Sequence, residues 1–323
     1  MYRKISAVVI PTLLAFGIIA WMLFNVWDQF IDALQHLVPA YLAGAIIICL
    51  IAWLIRGWRY RTILESLGYS IGVFVSTACI FVSQTVNLIV LARIGDFVRV
   101  FILKHEYDTT YSEGVSSLVV ERVFDIFTIA LLGALSVLFV LNVPSWFYTV
   151  IFLPLVAGVL FFIFLLCIGK FSTQNRYIGI LLTMLHEIRT ASLSLKSLLL
   201  VGGSSVIIWL LDIFVCFAVV LMFGQQIEFA VVILAIVIGN LVKAVPFTPG
   251  GIGAYEAVVA ATLALGGVSL ETAAIIAITD HLIKNLVTLA GGIISVYYFG
   301  DWVIPSIKEA FNKKLGGGTP SEP

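Results

Sequence analysis

Long apolar stretches separated by short polar segments form the main pattern along this chain. Six of them reach about 18 residues or more, which is enough for a helix to cross roughly 30 Å of hydrocarbon. We therefore predict full membrane spans at residues 5–24, 38–55, 115–141, 145–168, 197–223 and 271–299.

Basic residues between the spans predict the orientation, because Lys and Arg in short loops mark the cytoplasmic side of a membrane. The loops at 25–37, 142–144 and 224–228 contain no Lys or Arg. The other polar segments carry Arg3, Lys4, Arg56, Arg59, Arg61, Lys170, Arg176, Arg189, Lys196, Lys308, Lys313 and Lys314. Both termini are thus predicted to be cytoplasmic.

Two further apolar regions, 71–103 and 229–265, cannot be single crossings without exchanging the sides of the charged loops around them. In the second region, two short apolar arms flank a segment that cannot continue as regular helix, because proline and glycine interrupt it. The interrupting residues are Pro246, Pro249, Gly250, Gly251 and Gly253. We predict a re-entrant hairpin from the outer face there. For 71–103 we favour a hairpin from the cytoplasmic face over a full span at 71–91.

The two hairpin regions resemble each other when each is taken with the helix that follows it. Asn87 in the first unit corresponds to Asn240 in the second. In the helices that follow, the charged set of Glu121, Arg122 and Asp125 corresponds to Asp280, His281 and Lys284. By the orientation above, the two units run in opposite directions across the membrane. The pattern predicts a degenerate inverted repeat with units at about 71–141 and 229–299, an arrangement found in transporters, although coincidence in an apolar chain is the alternative.

The remaining segments belong to the same predicted unit, a single transmembrane domain at 1–299. Apolar residues recur at helical spacing between 177 and 195, which predicts a cytoplasmic amphipathic linker at about 170–196. This helix either lies on the inner leaflet or packs on the helical bundle. Residues 300–323, rich in glycine and proline at their end, are predicted to form a partly disordered cytoplasmic tail.

Composition agrees with an all-α, polytopic integral membrane bundle of about six full spans and two re-entrant hairpins. The chain is 61% hydrophobic and 11% charged, with a mean hydropathy of +1.13. Its 18 basic and 18 acidic residues cancel, so no overall field attracts nucleic acid, and no nucleic-acid partner is expected. We expect the cytoplasmic membrane of a prokaryote.

Charged residues inside the apolar regions are the candidate site, because an ionised group at bilayer depth costs at least about 2.5 to 3.5 kcal/mol and must be paired or face a pocket. The candidate substrate-binding residues are Arg93, Asp96, Arg99, Glu121, Arg122, Asp125, Lys243, Glu256, Asp280 and Lys284. Taken singly, each could be a structural ion pair. Together they predict a cationic cavity suited to an anionic headgroup, with the acids either moderating the affinity or receiving an amine.

Other chemistry is not indicated by the sequence. The four histidines are scattered, without the spacing of a metal site, and the glycines at 250–253 lack the third glycine and preceding strand of a dinucleotide loop. No serine stands in a nucleophile elbow. We therefore expect no catalytic residue, no metal and no cofactor.

Three stretches of sequence resemble one known family. They are Ala92-Arg93-Ile94-Gly95-Asp96-Phe97-Val98-Arg99, Val120-Glu121-Arg122-Val123-Phe124-Asp125, and Pro246-Phe247-Thr248-Pro249-Gly250-Gly251-Ile252-Gly253-Ala254-Tyr255-Glu256. They are similar to the signature stretches of the lysylphosphatidylglycerol synthase transmembrane-region (flippase-like) family. The resemblance implies re-entrant hairpins around a central cavity and a flippase that moves aminoacylated phosphatidylglycerol, while other members are associated with polyprenyl-linked sugars.

The chain departs from that family in two respects. It lacks the soluble aminoacyl-transferase domain of the bifunctional members, so we expect a translocase that is not an enzyme. It also has Asp280-His281 where an arginine is usual. The leading hypothesis is a translocase for an anionic, aminoacylated or polyprenyl-phosphate-linked lipid, which would be its membrane substrate. The alternatives are a subunit of lipid-linked glycan synthesis and a non-transporting scaffold. The expected protein partner is a lipid-modifying enzyme or a second copy of the chain.

Overall fold

The computed structural model describes residues 38–90, 93–169, 171, 175–245, 248–300 and 302, together with six isolated positions, 17, 20, 24, 27, 31 and 35. Most of the predicted first span and nearly all of the predicted tail therefore lie outside the described residues. Pro246, one of the predicted hairpin-breaking residues, lies outside them as well.

The described chain is all-helical, as predicted, and its described residues include no β-strand. Ten helices succeed one another, numbered here from the first one described. They are α1 (Pro39–Ser66), α2 (Val73–Ile89), α3 (Ile94–Tyr107), α4 (Tyr111–Ser136), α5 (Ser145–Ile168), α6 (Arg176–Leu193), α7 (Leu195–Met222), α8 (Phe229–Lys243), α9 (Ala254–Ala264) and α10 (Leu270–Phe299).

Among the described residues, four helices are long and apolar enough to cross a membrane: α1, α5, α7 and α10. They correspond to the predicted spans at 38–55, 145–168, 197–223 and 271–299. The helix in the position of the predicted span at 115–141 is α4, whose 26 residues would extend about 39 Å at 1.5 Å per residue. Its length is sufficient, but Glu121, Arg122 and Asp125 interrupt its apolar character.

The predicted end of the second span is wrong. Helix α1 continues past Ile55 to Ser66, and Arg56 and Arg59 lie on the helix instead of in a cytoplasmic loop. Arg59 is only 1% exposed. The positive-inside rule counts basic residues near the ends of apolar segments, so it assigned to a loop two arginines that tertiary contacts bury.

Two short helix pairs occupy the predicted hairpin regions. In the first pair, α2 ends at Ile89 and packs against α3, and the backbone of Arg93 between them has a φ of 52°. In the second pair, α8 and α9 pack together across a 3₁₀ turn at Pro249–Gly251. The backbone of Gly250 and Gly251 there has φ values of 61° and 77°, a region that glycine enters without steric cost.

The two interruptions meet, because α2 packs against the 3₁₀ turn of the second pair. Around them, α7 packs along α1, α10 packs on α2, and α8 packs on α4. Helix α5 lies on the outside with much of its apolar surface exposed, including Leu153, Leu160 and Leu166. The interruptions in the two pairs are thus enclosed by the longer helices.

The predicted amphipathic helix is α6, and its two ends differ in burial. At its beginning Tyr177, Ile180 and Leu181 are exposed. Near its end Ile188 is buried, and the Glu187 carboxylate accepts hydrogen bonds from Ser112 and Ser116 of α4. Helix α6 therefore packs on the bundle through its second half, and its first half leaves an apolar face uncovered.

Close contact within the first pair generates a stability prediction. A Cβ at Gly95 would overlap the Ser83 carbonyl oxygen, a backbone atom that cannot move aside cheaply. We expect Gly95→Ala to destabilise the protein by about 1 to 3 kcal/mol through overpacking, measured by thermal unfolding in detergent. The matched control is Gly44→Ala on α1, where a Cβ meets nothing within 4 Å and the better helix former should leave stability equal or higher. Equal melting temperatures for both variants would contradict this packing.

Candidate functional site

A cavity of about 400 Å³ lies where the two helix pairs meet. Side chains from α1, α2, α4, α7, α8 and α10 line it, together with both interruptions. The charged residues on its wall are Arg56, Arg59, Arg93, Glu121, Arg122, Asp125, Asp212, Lys243 and Lys284. Because the wall combines six cations with three carboxylates, the ion pairing around it decides which charges are available to a ligand.

One ion-pair cluster is centred on Glu121 and Asp125 of α4. Arg99 reaches Glu121 at 2.8 Å and is itself fully buried, with its guanidinium 4.2 Å from the centre of the Tyr60 ring. Arg59 donates to both oxygens of Asp125, at 2.6 and 3.1 Å. Planar, two-point contacts of this kind are the strongest that arginine makes with a carboxylate. Glu121 and Asp125 are therefore already occupied by arginines.

Arg122 joins this cluster to the first helix pair. Its guanidinium donates to Asp96 at 3.1 Å, and Asp96 also accepts hydrogen bonds from Asn87 and Ser83 of α2. Asn87 in turn accepts the backbone N–H of Gly95 at 2.8 Å, which ties the end of α2 to the start of α3. The interruption of the first pair is thus held by side chains that continue into the cavity wall.

A second cluster surrounds the start of α9 and the middle of α10. Lys284 reaches Asp280 at 2.8 Å, and Tyr255 donates to the same carboxylate at 2.8 Å. Glu256 accepts the backbone N–H of Gly253 at 2.7 Å and contacts His281 Nδ1 at 2.6 Å. The carboxylate of Glu256 therefore stabilises the first turn of α9, where backbone N–H groups have no helical partner.

A third ion pair joins α1 to α7, where Arg56 reaches Asp212 at 2.9 Å. With this pair, every charged wall residue but two has an oppositely charged partner. Among the described residues, Arg93 and Lys243 have no carboxylate oxygen within 4.0 Å. Lys243 instead contacts the Nε2 atom of His281 at 3.0 Å. Among the described residues, the wall therefore presents two cations that form no salt bridge with a carboxylate.

The comparison of the sequence with protein families agrees with this architecture. The model described as the lysylphosphatidylglycerol synthase TM region matches residues 8–292. The chain belongs to this family. It is thus an integral membrane protein with several apolar helices, and the resemblance stated from the sequence is confirmed.

Curated relatives include proteins from prokaryotes. The chain is 29% identical to "Glycosyltransferase AglD" of Haloferax volcanii over 88% of its own length, and it spans about half (53%) of that relative. It is 22% identical to a "UPF0104 membrane protein" of Methanothermobacter thermautotrophicus, with 88% of this chain and 91% of the relative covered. No solved structure matches the chain significantly.

The structure of this family member places the predicted site residues in two layers. Six of them line the cavity: Arg93, Glu121, Arg122, Asp125, Lys243 and Lys284. The other four, Asp96, Arg99, Glu256 and Asp280, lie behind the wall and bind the residues that line it or the breaks beside it. Of the predicted hairpin-breaking residues, Gly250 and Gly251 line the cavity, Pro249 begins the 3₁₀ turn, and Gly253 precedes α9.

Sequence reasoning left several wall residues out of the predicted site. Arg56 and Arg59 were assigned to a loop, and Asp212 and His281 were not included. Asp212 carried a usable signal, since it is the one charged residue in the apolar stretch 197–223. His281 had a weaker signal, as the residue following Asp280 in the repeated motif. Trp209, which donates to Asp125 at 3.1 Å, had none.

The buried pair of Arg99 and Glu121 generates a prediction about stability. Removing one partner of a buried ion pair costs about 3 to 5 kcal/mol, whereas replacing both is often nearly neutral. Arg59 and Arg122, at 4.0 and 3.9 Å from Glu121, offset part of this cost when Arg99 alone is removed. We expect Arg99→Met to destabilise strongly and Arg99→Met with Glu121→Gln to recover much of the loss. Thermal unfolding of both variants in detergent measures this coupling.

The matched control is the exposed pair of Arg61 and Glu65, one helical turn apart on α1. Exposed pairs of this kind contribute about 0.3 to 0.5 kcal/mol, so Arg61→Met should change stability very little. If the double variant were as unstable as Arg99→Met, Glu121 would not be the partner that Arg99 needs.

Proposed function

We propose that this protein is a lipid translocase whose cavity receives a phosphate-bearing headgroup while the lipid tails stay in the bilayer. The observation that carries the proposal is the pair of cations, Arg93 and Lys243, that the protein leaves without a carboxylate partner on the cavity wall. Ligand phosphate would supply the missing negative charge. Arginine offers phosphate a planar, two-point contact, and lysine offers a point charge.

The backbone of Arg93 supports a binding role. It has a left-handed φ of 52°, although arginine lacks the freedom of glycine in that region. Strained conformations of this kind cost of order 1 to 3 kcal/mol and concentrate at functional sites. Here the conformation places a cation between α2 and α3, beside the cavity.

The position of the cavity also suits translocation. Lys284 lies at the midpoint of α10, a helix of 30 residues that is long enough to span the bilayer. Helix interruptions at such a depth are tolerated only where protein or water covers the unpaired backbone. We propose that the two helix pairs are re-entrant hairpins from opposite faces, related as the units of an inverted repeat, and that both chain termini are cytoplasmic.

The pairing of the acids favours an anionic headgroup over an aminoacylated one. Each carboxylate on the wall already contacts an arginine: Glu121 with Arg99, Asp125 with Arg59, and Asp212 with Arg56. No wall carboxylate among the described residues is left for the amine of an aminoacylated lipid. We therefore propose a phosphodiester or polyprenyl-phosphate lipid as the substrate, moved without covalent change.

A second candidate function is a part in lipid-linked glycan synthesis, and it is favoured by the relative named as a glycosyltransferase. The same two cations would then hold a polyprenyl phosphate during sugar transfer by another protein or domain. Formation of a glycosylated lipid by the purified chain, given a sugar donor and a polyprenyl phosphate, would favour this candidate. Lipid movement without a new covalent product would favour the translocase.

Removal of the unpaired cations tests the proposed function. A charged hydrogen bond contributes about 1.5 to 3 kcal/mol, so Arg93→Gln should weaken binding about ten- to a hundredfold. The same variant should slow movement of labelled phosphatidylglycerol in liposomes, followed by chemical quenching of the outer leaflet. Labelled phosphatidylcholine, whose headgroup carries a cation, should move poorly with every variant.

Arg61→Gln is the matched control, because that arginine is exposed and does not line the cavity. Thermal unfolding of each variant shows whether a lost activity reflects lost folding. If Arg93→Gln and Lys243→Gln were both folded and both moved phosphatidylglycerol at the wild-type rate, the proposed site would be ruled out.

The re-entrant arrangement has a separate test in the sidedness of the loops. If residues 229–265 enter and leave on one face, Gln226→Cys and Glu271→Cys should both react with a membrane-impermeant maleimide from the outside. Ser70→Cys and Glu106→Cys, which flank the first pair, should both react from the cytoplasmic side. The native cysteines are replaced beforehand. Labelling of either pair from opposite sides would show a full crossing.

A further inference from the structure

Three side chains from three helices form a continuous hydrogen-bonded row at the cavity. Lys243 of α8 contacts His281 of α10 through its Nζ atom, 3.0 Å from Nε2. The other ring nitrogen, Nδ1, lies 2.6 Å from a carboxylate oxygen of Glu256 on α9. His281 and Glu256 are each 2% exposed, and Lys243 lines the cavity. The row therefore leads from the cavity wall into the protein.

The geometry sets the number of protons in this row. The carboxylate of Glu256 accepts, so the Nδ1 atom of His281 carries a proton and donates it. Between Nε2 and the lysine nitrogen there is room for one proton, because two nitrogens in hydrogen-bond contact need one donor and one acceptor. With the Lys243 ammonium as the donor, this contact corresponds to a neutral His281 ring that accepts through Nε2.

An additional proton on Nε2 would break this contact. The imidazolium would then present N–H groups on both sides, and the ammonium of Lys243 would face another donor of like charge. Lys243 would then have to leave the ring. Its stem packs against Gly251, where a Cβ would lie 2.5 Å from Lys243 Cγ, and both residues line the cavity. Its route leads into the cavity that it already lines.

We propose that His281 holds Lys243 when its ring is neutral and releases it when Nε2 takes up a proton, an arrangement called the latch below. The protein would then take up one proton with each anionic headgroup that it binds. The proposal rests on the proposed function. A proton from water adds to Nε2 of His281, the lysine moves to the headgroup phosphate, and the added positive charge offsets the charge of the anion. Release of the headgroup lets the lysine return and expels the proton. Lipid movement would thereby be coupled to a proton gradient.

Apart from Arg93, which has no carboxylate partner, the other charges near the row already have partners. On α10 itself, Asp280 is bound by Lys284 and by Tyr255 of α9. Across the cavity, Asp212 of α7 is paired with Arg56 of α1, and α2 contributes no acidic or basic residue. Among the described groups, the row of Glu256, His281 and Lys243 is the one in which a histidine holds a wall cation.

The test is the pH dependence of binding by the full chain in detergent, with short-chain phosphatidylglycerol as the probe. Its phosphodiester does not titrate near neutrality, unlike a phosphate monoester, whose second pKa is about 6. We expect binding to tighten as the pH falls from about 8 to about 5, by at most about tenfold per pH unit for one proton. Calorimetry in buffers of different ionisation enthalpy should show proton uptake on binding.

His281→Gln is the decisive variant, because an amide can accept from Lys243 and donate to Glu256 but does not titrate. It should bind the probe with little pH dependence and without proton uptake. His186→Gln is the matched control, since that histidine lies on α6, with its ring bonded to a backbone carbonyl of the same helix. Its binding should keep the wild-type pH dependence. Inorganic phosphate, added as a competitor, distinguishes headgroup binding from binding of a free anion.

The outcomes separate the latch from the proposed function. Binding that is pH-independent in the wild type, or pH-dependent to the same degree in His281→Gln, would overturn the latch. If Arg93→Gln still weakened binding in that case, the translocase proposal would stand without it. If the wild-type chain bound the probe at no pH tested, both the latch and the translocase proposal would be overturned.

Discussion

The cost of burying charge in a low-dielectric interior is the constraint on which this structure depends. Each ionised group removed from water loses several kcal/mol of solvation, which only close, well-oriented partners can return. The protein meets this cost by assembling arginines and carboxylates from different helices, such as Arg59 of α1 with Asp125 of α4 and Arg56 of α1 with Asp212 of α7. These pairs join α1, α4 and α7 around a cavity, so the same contacts that stabilise the bundle also shape its polar centre.

Two cations on the cavity wall are exceptions to this pairing, and the proposed function depends on them. Arg93 and Lys243 also carry this cost, and neither has a carboxylate oxygen within 4.0 Å among the described residues. A bound anion would return it, which links the proposed site to the energetics of the fold. The residues behind the wall have a different task, because Arg99, Asp96 and Glu256 hold the wall residues and the helix ends in position.

Side chains at the cavity hold the backbone at the interruptions of both helix pairs. Asn87 and Glu256 accept backbone N–H groups at the two breaks, at Gly95 and Gly253 respectively. Both breaks are therefore coupled to charged side chains through Asp96 in one case and His281 in the other. The family relationship extends over this whole arrangement, since the matching region covers both pairs.

The sequence by itself determined the helical class, the membrane location, the breaks at Pro249, Gly250 and Gly251, and the local pair of Asp280 and Lys284. These features depend on composition or on residues within one helical turn, which the order of amino acids contains directly. The tertiary structure alone decided that Arg59 is buried, that Arg99 is covered while Arg93 is left unpaired, and that His281 lies between Lys243 and Glu256. Such contacts join residues far apart in the chain, and hydrophobic periodicity does not specify which helix faces pack together.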